Sequence, residues 1–202
     1  MFPAEARSVD PQQRLLLEVS VEAIEDAARP LESLRGSRTA AFIGSFMYDH
    51  MGLQLSTAHR EDISPYVAMG AGMTSLANRV SYSLDLRGPS VSLDTACSSS
   101  LSAVHLACRA LWAGDADAAL AGGVNVILRP EGSMMLSAAG FLGPGGRCRA
   151  FDASADGYVR GEGAVVFHIE PLERALAAGR RVHSIIRGTA MTQDGHVQAG
   201  FT

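Results

Sequence analysis

Short apolar runs closed by glycine or by a helix-forming stretch constrain this fold more than any other feature of the sequence. Thr39–Ile43 is short, apolar and ends at Gly44, and Ala118–Ala121 ends at Gly122-Gly123. Ala164–Ile169 and Val182–Ile186 read as further strands, and Val124–Leu128 as strand or loop. Runs of this length and character suit buried strands. Ser90–Thr95 is a strand with a polar alternate face. Helical patterns lie between them. Asp10 is placed to cap a helix, Pro11 suits the first helical position, and Gln13 stands where a capping-box partner would. The run to Ala28 puts Leu16, Val19, Ala23 and Ala27 on one face, and Arg29-Pro30 ends it. Ala71–Ser83, Glu131–Ala139 and Pro171–Ala178 read as helices. So does the stretch up to Gly114 that carries Leu101, Val104, Cys108 and Leu111 on one side. Residues 45–65 read as a polar surface excursion. Strands alternating with helices predict an α/β layered fold.

Composition narrows the function classes. At 47% hydrophobic and 19% charged, the 202 residues are ordinary for a globular chain and exclude a disordered one. The length suits one domain or two small ones. The net charge is −4, and the densest basic stretches are Arg147–Arg149 and Arg180–Arg181, which argues against nucleic acid as a partner. No apolar stretch reaches the roughly 18 residues of a membrane span. The first residues lack the charged-then-apolar order of a signal peptide. Cysteines stand at 97, 108 and 148, with no short pair for zinc or a disulfide framework, so a reducing, cytoplasmic setting is expected. Gly70-Ala71-Gly72 has Ser75 where a dinucleotide fingerprint needs its third glycine, so it is a weak nucleotide signal.

The strongest chemical signal is Asp94-Thr95-Ala96-Cys97-Ser98-Ser99-Ser100. It puts a cysteine at a strand-to-helix turn, which holds a side chain up and exposed as the nucleophile elbow does for serine. Unpaired N–H groups at a helix start favour a thiolate and can stabilise an oxyanion. The serines are expected to cap the helix and to leave room for an incoming chain. Cys97 is therefore the candidate nucleophile for covalent acyl transfer. Cys108, on a helix face, reads as a small buried hydrophobe. Cys148, between two arginines in a glycine loop, reads as solvated. The six histidines are His50, His59, His105, His168, His183 and His196, and the sequence places none as a partner for Cys97. His168 and His183 lie in expected strands and are expected to face the surface.

These residues together resemble the β-ketoacyl synthase (ketosynthase) domain of a type I polyketide synthase or multifunctional fatty-acid synthase. The resemblance rests on Asp10 to Glu18, Ala77 to Tyr82, Leu86 to Ser90, Asp94 to Leu101, Ala121 to Asn125, Gly146 to Asp152, Asp156 to Gly163, and Gln193 to Gly195. It implies a thiolase-like fold, two α/β halves in an αβαβα sandwich, working as a homodimer. It implies transfer of an acyl chain from the phosphopantetheine of an acyl carrier protein onto Cys97. A decarboxylative Claisen condensation with a malonyl-type extender follows, and the Cys97 N–H contributes to the oxyanion hole. The resemblance implies that no cofactor is bound directly, and that the partners are the carrier protein and neighbouring domains such as an acyltransferase. Residues 66–82 resemble a segment near the dimer interface and acyl pocket.

The family's catalytic set adds two histidines and a lysine. The histidines lie in or after Gly-Thr-Gly-Thr and Lys-Ser-Asn-Ile-Gly segments that this chain lacks, and it has no lysine at all. The expectation is thus a partial domain over residues 1–202, mainly the N-terminal half without the family's first strand, and inactive alone. The alternatives are a non-catalytic or pseudo-enzyme piece serving as a scaffold, and another acyltransferase of the thiolase superfamily. Glycine, at 21 residues, is in excess, and close backbone packing is expected near the active-site strand and in the Gly140–Gly163 loops.

Overall fold

A computed structural model describes residues 2–196. The expected turn at Gln193 to Gly195 lies at its edge, and residues 197–202 lie outside it. In chain order the helices are α1 Pro3–Ala6, α2 Pro11–Asp26, α3 Asp49–Gln54, α4 Pro65–Ala71, α5 Ser75–Ser83, α6 Ser99–Ala113, α7 Glu131–Ala138 and α8 Leu172–Ala177. The strands are β1 Thr39–Gly44, β2 Ser90–Leu93, β3 Ala118–Asn125 and β4 Gly163–Ile169. They form one sheet in the order β2-β1-β3-β4, with β1 parallel to both neighbours and β4 antiparallel to β3. Parallel neighbours need long crossovers. Here α3 to α5 supply the one from β1 to β2, and α6 the one from β2 to β3.

The two faces of the sheet are built from different residues. On one, Leu16 and Ile24 of α2 and Leu76 and Val80 of α5 pack on Ala41, Ile43, Leu120 and Val166. Fully burying a side chain such as Leu16 contributes about 1.5–3 kcal/mol. On the other, Ala103, Ala107 and Ala110 of α6 meet Ala40, Phe42, Ala119 and Ala121. Small residues on both sides let α6 lie close to the strands. The expected apolar side of this helix is therefore corrected: Cys108 is buried, but Leu101 is 74% exposed.

Other expectations also change. Asp10 does cap α2, accepting from the Gln12 N–H at 2.8 Å. Gln13 makes no capping box. It is buried, its Nε2 donates to the carbonyls of Met69 (3.1 Å) and Gly70 (2.8 Å), and its Oε1 accepts from Arg79. The deepest face of α2 is Gln13, Leu16, Ser20 and Ile24, with Val19 and Ala23 at its margin. The excursion over 45–65 contains α3 and a 3-10 turn, Thr57–Asp62. The expected helix over 71–83 is broken, because Gly72 is extended (φ −72°, ψ 136°). Val182–Ile186 forms no strand. β4 pairs with β3 alone, so the segment finds no ladder, and Val182, Ile185 and Ile186 stay exposed.

Candidate active site

The turn after β2 is held by its own side chains. Ala96–Ser98 is a short 3-10 turn, and Ala96 lies in the left-handed region at φ +54°, where few non-glycine residues sit. The Asp94 carboxylate accepts from the Ala96 N–H at 2.8 Å. Ser99 Oγ accepts from the Thr95 N–H (2.9 Å) and donates to the Ala96 carbonyl (2.7 Å). Ser98 Oγ donates to the Thr95 carbonyl (2.8 Å), and the Thr95 and Ser102 hydroxyls lie 2.9 Å apart. The serines thus brace the turn. The expected capping of α6 is corrected, for its N-cap Ser98 makes no side-chain cap hydrogen bond. At the far end Gly114, at φ +75°, closes α6.

Two glycines let the head of α6 rest on the sheet. A Cβ at Gly44 would lie 2.3 Å from the Ser99 carbonyl carbon, and one at Gly123 would lie 2.8 Å from Ser100 Cβ. This contact puts Cys97 at the C-terminal ends of β1 and β2, where open α/β sheets bind ligands. Cys97 is exposed and lines a cavity of about 540 Å³. Phe46, Met47, Leu136, Val165 and Phe167 give the cavity apolar walls, and Arg160 is its one charged lining residue among the described residues. Such walls suit an acyl chain better than a polar substrate. Sequence reasoning did not single out these wall residues. The signal was present for Val165 and Phe167, which alternate with buried Val166 along β4.

The other candidates fall elsewhere. Cys108 is buried, and burial pushes its thiol pKa up. Cys148 is exposed and its sulfur accepts from the Val159 N–H at 3.2 Å. Among the described residues no histidine lines the cavity. His50 is buried, with its ring Nε2 3.0 Å from the Ser8 carbonyl, so Nε2 carries the proton. His59 pairs with Asp62 and His183 with Asp26 on the surface. His105 Nδ1 lies 2.8 Å from the Thr189 hydroxyl, and His196 is exposed. His168, expected at the surface, is half-buried on β4 and pushed down to about 4, chiefly by burial. Its ring Nε2 lies 3.2 Å from Arg29 Nη1, a permanent donor, so Nε2 is the unprotonated acceptor. No group of three or more metal-ligating side chains occurs among the described residues. Residues 66–82 do not line the cavity.

A cysteine raised on a strand-to-helix elbow over an apolar cavity makes this an α/β protein with an exposed thiol at the head of a helix. Comparison with known proteins makes the class specific. The chain belongs to the β-ketoacyl synthase family, for residues 1–175 match the family model "Beta-ketoacyl synthase, N-terminal domain". It is 48% identical over 193 residues to a phenolphthiocerol/phthiocerol polyketide synthase polypeptide of Mycobacterium tuberculosis, covering 96% of this chain and 9% of that protein. It is 46% identical over 202 residues to a highly reducing polyketide synthase of Aspergillus calidoustus, covering 100% of this chain and 8% of that protein. The oxazolomycin ketosynthase domain of Streptomyces albus superposes with a TM-score of 0.89 at 41% identity, over 98% of this chain and 34% of that one. The module 6 ketosynthase of the bacillaene synthase of Bacillus subtilis gives 0.87 at 36%, over 98% and 33%. The fold is thus the thiolase-like fold of ketosynthases over its N-terminal portion. The chain spans about a tenth of the curated relatives' length and a third of the solved ketosynthase chains.

Proposed function

We propose that this chain is the N-terminal part of a ketosynthase domain of a polyketide-type synthase, and that Cys97 is its acyl acceptor. The observation that carries this is the exposed Cys97 on a braced elbow, opening on an apolar cavity. The Cys97 thiolate attacks the thioester carbonyl of an acyl chain held on the phosphopantetheine of an acyl carrier protein. The oxyanion formed is held by backbone N–H groups at the head of α6, the Cys97 amide among them. Collapse expels the carrier thiolate, which takes a proton, and leaves an acyl thioester on Cys97. A malonyl-type extender then loses carbon dioxide. Its enolate carbon attacks the acyl carbonyl, and Cys97 leaves as thiolate. The product is a β-ketoacyl chain one two-carbon unit longer, on the carrier.

The second step needs electrophilic help at the extender carbonyl. The family resemblance assigns it to two histidines and a lysine in segments that residues 1–202 do not contain. The catalytic domain in this reading extends past these residues, in keeping with the third of the solved ketosynthase chains that they cover. The complete domain works as a homodimer beside an acyltransferase, in the cytoplasm. Three unpaired cysteines among the described residues suit that reducing setting. No helix among the described residues is long and apolar enough to cross a membrane.

The test is acylation of the complete ketosynthase by an acyl thioester of N-acetylcysteamine, read by intact-protein and peptide mass spectrometry. One acyl group is expected on the peptide of Cys97, none on those of Cys108 and Cys148, and none at all in Cys97→Ala. A purified, folded enzyme that takes no acyl group would instead support the scaffold reading. The 202-residue chain alone is expected to form no condensation product with malonyl-carrier protein.

A further inference from the structure

The acyl-acceptor elbow depends on a contact from outside its own strand and helix. Ala96 is left-handed, a conformation that costs a non-glycine residue roughly 1–2 kcal/mol and persists only where its surroundings enforce it. The Asp94 carboxylate enforces it through the hydrogen bond from the Ala96 N–H. That leaves the other carboxylate oxygen, which accepts from the Tyr48 hydroxyl at 3.2 Å. Tyr48 comes from the segment between β1 and α3, directly after Phe46 and Met47, which wall the cavity. Its hydroxyl also lies 3.7 Å from Met73 Sδ, at the start of the segment leading into α5. Burial and the Asp94 charge push the Tyr48 pKa up, so the phenol stays a donor.

Resting on the reading of Cys97 as acyl acceptor, we propose that Tyr48 is a positioning residue for acyl transfer: it locks the Asp94–Ala96 turn under Cys97 and ties it to the Phe46–Met47 wall of the cavity. Two things are fixed by one side chain. Asp94 is kept turned toward the Ala96 amide, so the left-handed turn holds and Cys97 stays raised. The wall that meets the acyl chain is registered against the sulfur that receives it. The link is to rate more than to binding, because the hydroxyl touches the turn and not the cavity's occupant.

The experiment is steady-state condensation of a short acyl thioester with malonyl-carrier protein by the complete ketosynthase, with kcat and KM for the acyl thioester separated and the melting midpoint recorded. Tyr48→Phe keeps the ring and removes only the donor. It is expected to lower kcat about fivefold, the scale of one partly exposed charge-assisted hydrogen bond. KM should stay within about twofold, the pattern of a lost contact that matters only during reaction. Asp94→Ala should fall further. Asp94→Asn should recover most of the rate, since its amide oxygen still accepts from the Ala96 N–H and its amide NH2 can donate to the Tyr48 hydroxyl. A Tyr48→Phe enzyme with wild-type kcat overturns this proposal and leaves the acyl-acceptor reading standing. A wild-type enzyme that is not acylated at Cys97 overturns both. A fall in the melting midpoint with no change in kcat assigns Tyr48 a purely structural part and also overturns it.

Discussion

A Cβ at Gly44 would lie 2.3 Å from the Ser99 carbonyl carbon and 2.5 Å from the Ser100 nitrogen. Both are backbone atoms in the first turn of α6, so no side-chain rotation can relieve the clash. Gly44→Ala must therefore push the helix off the end of β1 and carry Cys97 with it. Overpacking of this kind costs about 1–3 kcal/mol. We expect a lower melting midpoint in the complete enzyme and slower alkylation of Cys97 by iodoacetamide; wild-type values of both would show that the helix does not rest on this glycine. Close packing was expected near the active-site strand, where Gly44 and Gly123 show it, and across the Gly140–Gly163 loops, where it is uneven. Gly161 and Gly163 face open space, whereas a Cβ at Gly157 would meet the Gly143 nitrogen at 2.4 Å. Composition counts glycines and cannot tell a tight contact from an open loop. The placement of Cys97 was legible because it is local, a strand, a turn and a helix in one stretch. Tyr48 was not, since it meets Asp94 across 46 positions from within a polar, aperiodic segment.

Elements were legible where burial made them uniform. Every residue of β1 is buried, and a continuous apolar run reads as a strand without knowledge of its neighbours. Val182–Ile186 has similar propensity but no partner edge, and a strand exists only by pairing. The side of α6 was misread because the sheet beneath it is alanine apart from Phe42, so the helix turns its small residues inward and Leu101 outward. One contact among elements is titratable. His168 on β4 meets Arg29, just past the end of α2, with Glu170 and Arg180 nearby, and Arg180 is ion-paired to the buried Glu170 carboxylate. Desolvation and the two arginines hold the ring neutral, outweighing Glu170. Its folded pKa of about 4 lies below the ordinary histidine value of about 6.5. Between those values the unfolded chain binds the proton and the folded one does not, so stability falls as pH drops through that window. The loss is of order 2 kcal/mol for a group this buried. His168→Gln keeps an acceptor for Arg29 without a titrating ring. Its melting midpoint should fall less between pH 6.5 and pH 4 than that of the wild type. Parallel curves for the two proteins would remove His168 from the acid response.

At the scale of the molecule, the sheet is covered unevenly. The α2 and α5 side is closed over a continuous core. On the α6 side the helix lies over β1 and β3, while Val165 and Phe167 of β4 are 55% and 56% exposed. Leu101 and Trp112 of α6 are exposed too, at 74% and 56%. An α/β sheet normally has helices over both faces, and exposed apolar surface of this extent marks a contact. In the proposed reading the contact is internal: the residues span a third of the solved ketosynthase chains, and the rest of the same domain packs over this face and closes the open side of the cavity that Val165 and Phe167 wall. The reading separates two preparations. The 202-residue chain alone should bind an environment-sensitive apolar dye strongly and self-associate on gel filtration. The complete ketosynthase should do neither through this face, and Phe167→Ser should destabilise it by about 3–5 kcal/mol, the cost of emptying a buried aromatic site. In the short chain the same substitution should improve solubility, since it removes surface that nothing covers. If Phe167→Ser leaves the complete enzyme's melting midpoint unchanged, this face is open to solvent in the whole protein as well, and the second half of the domain packs elsewhere.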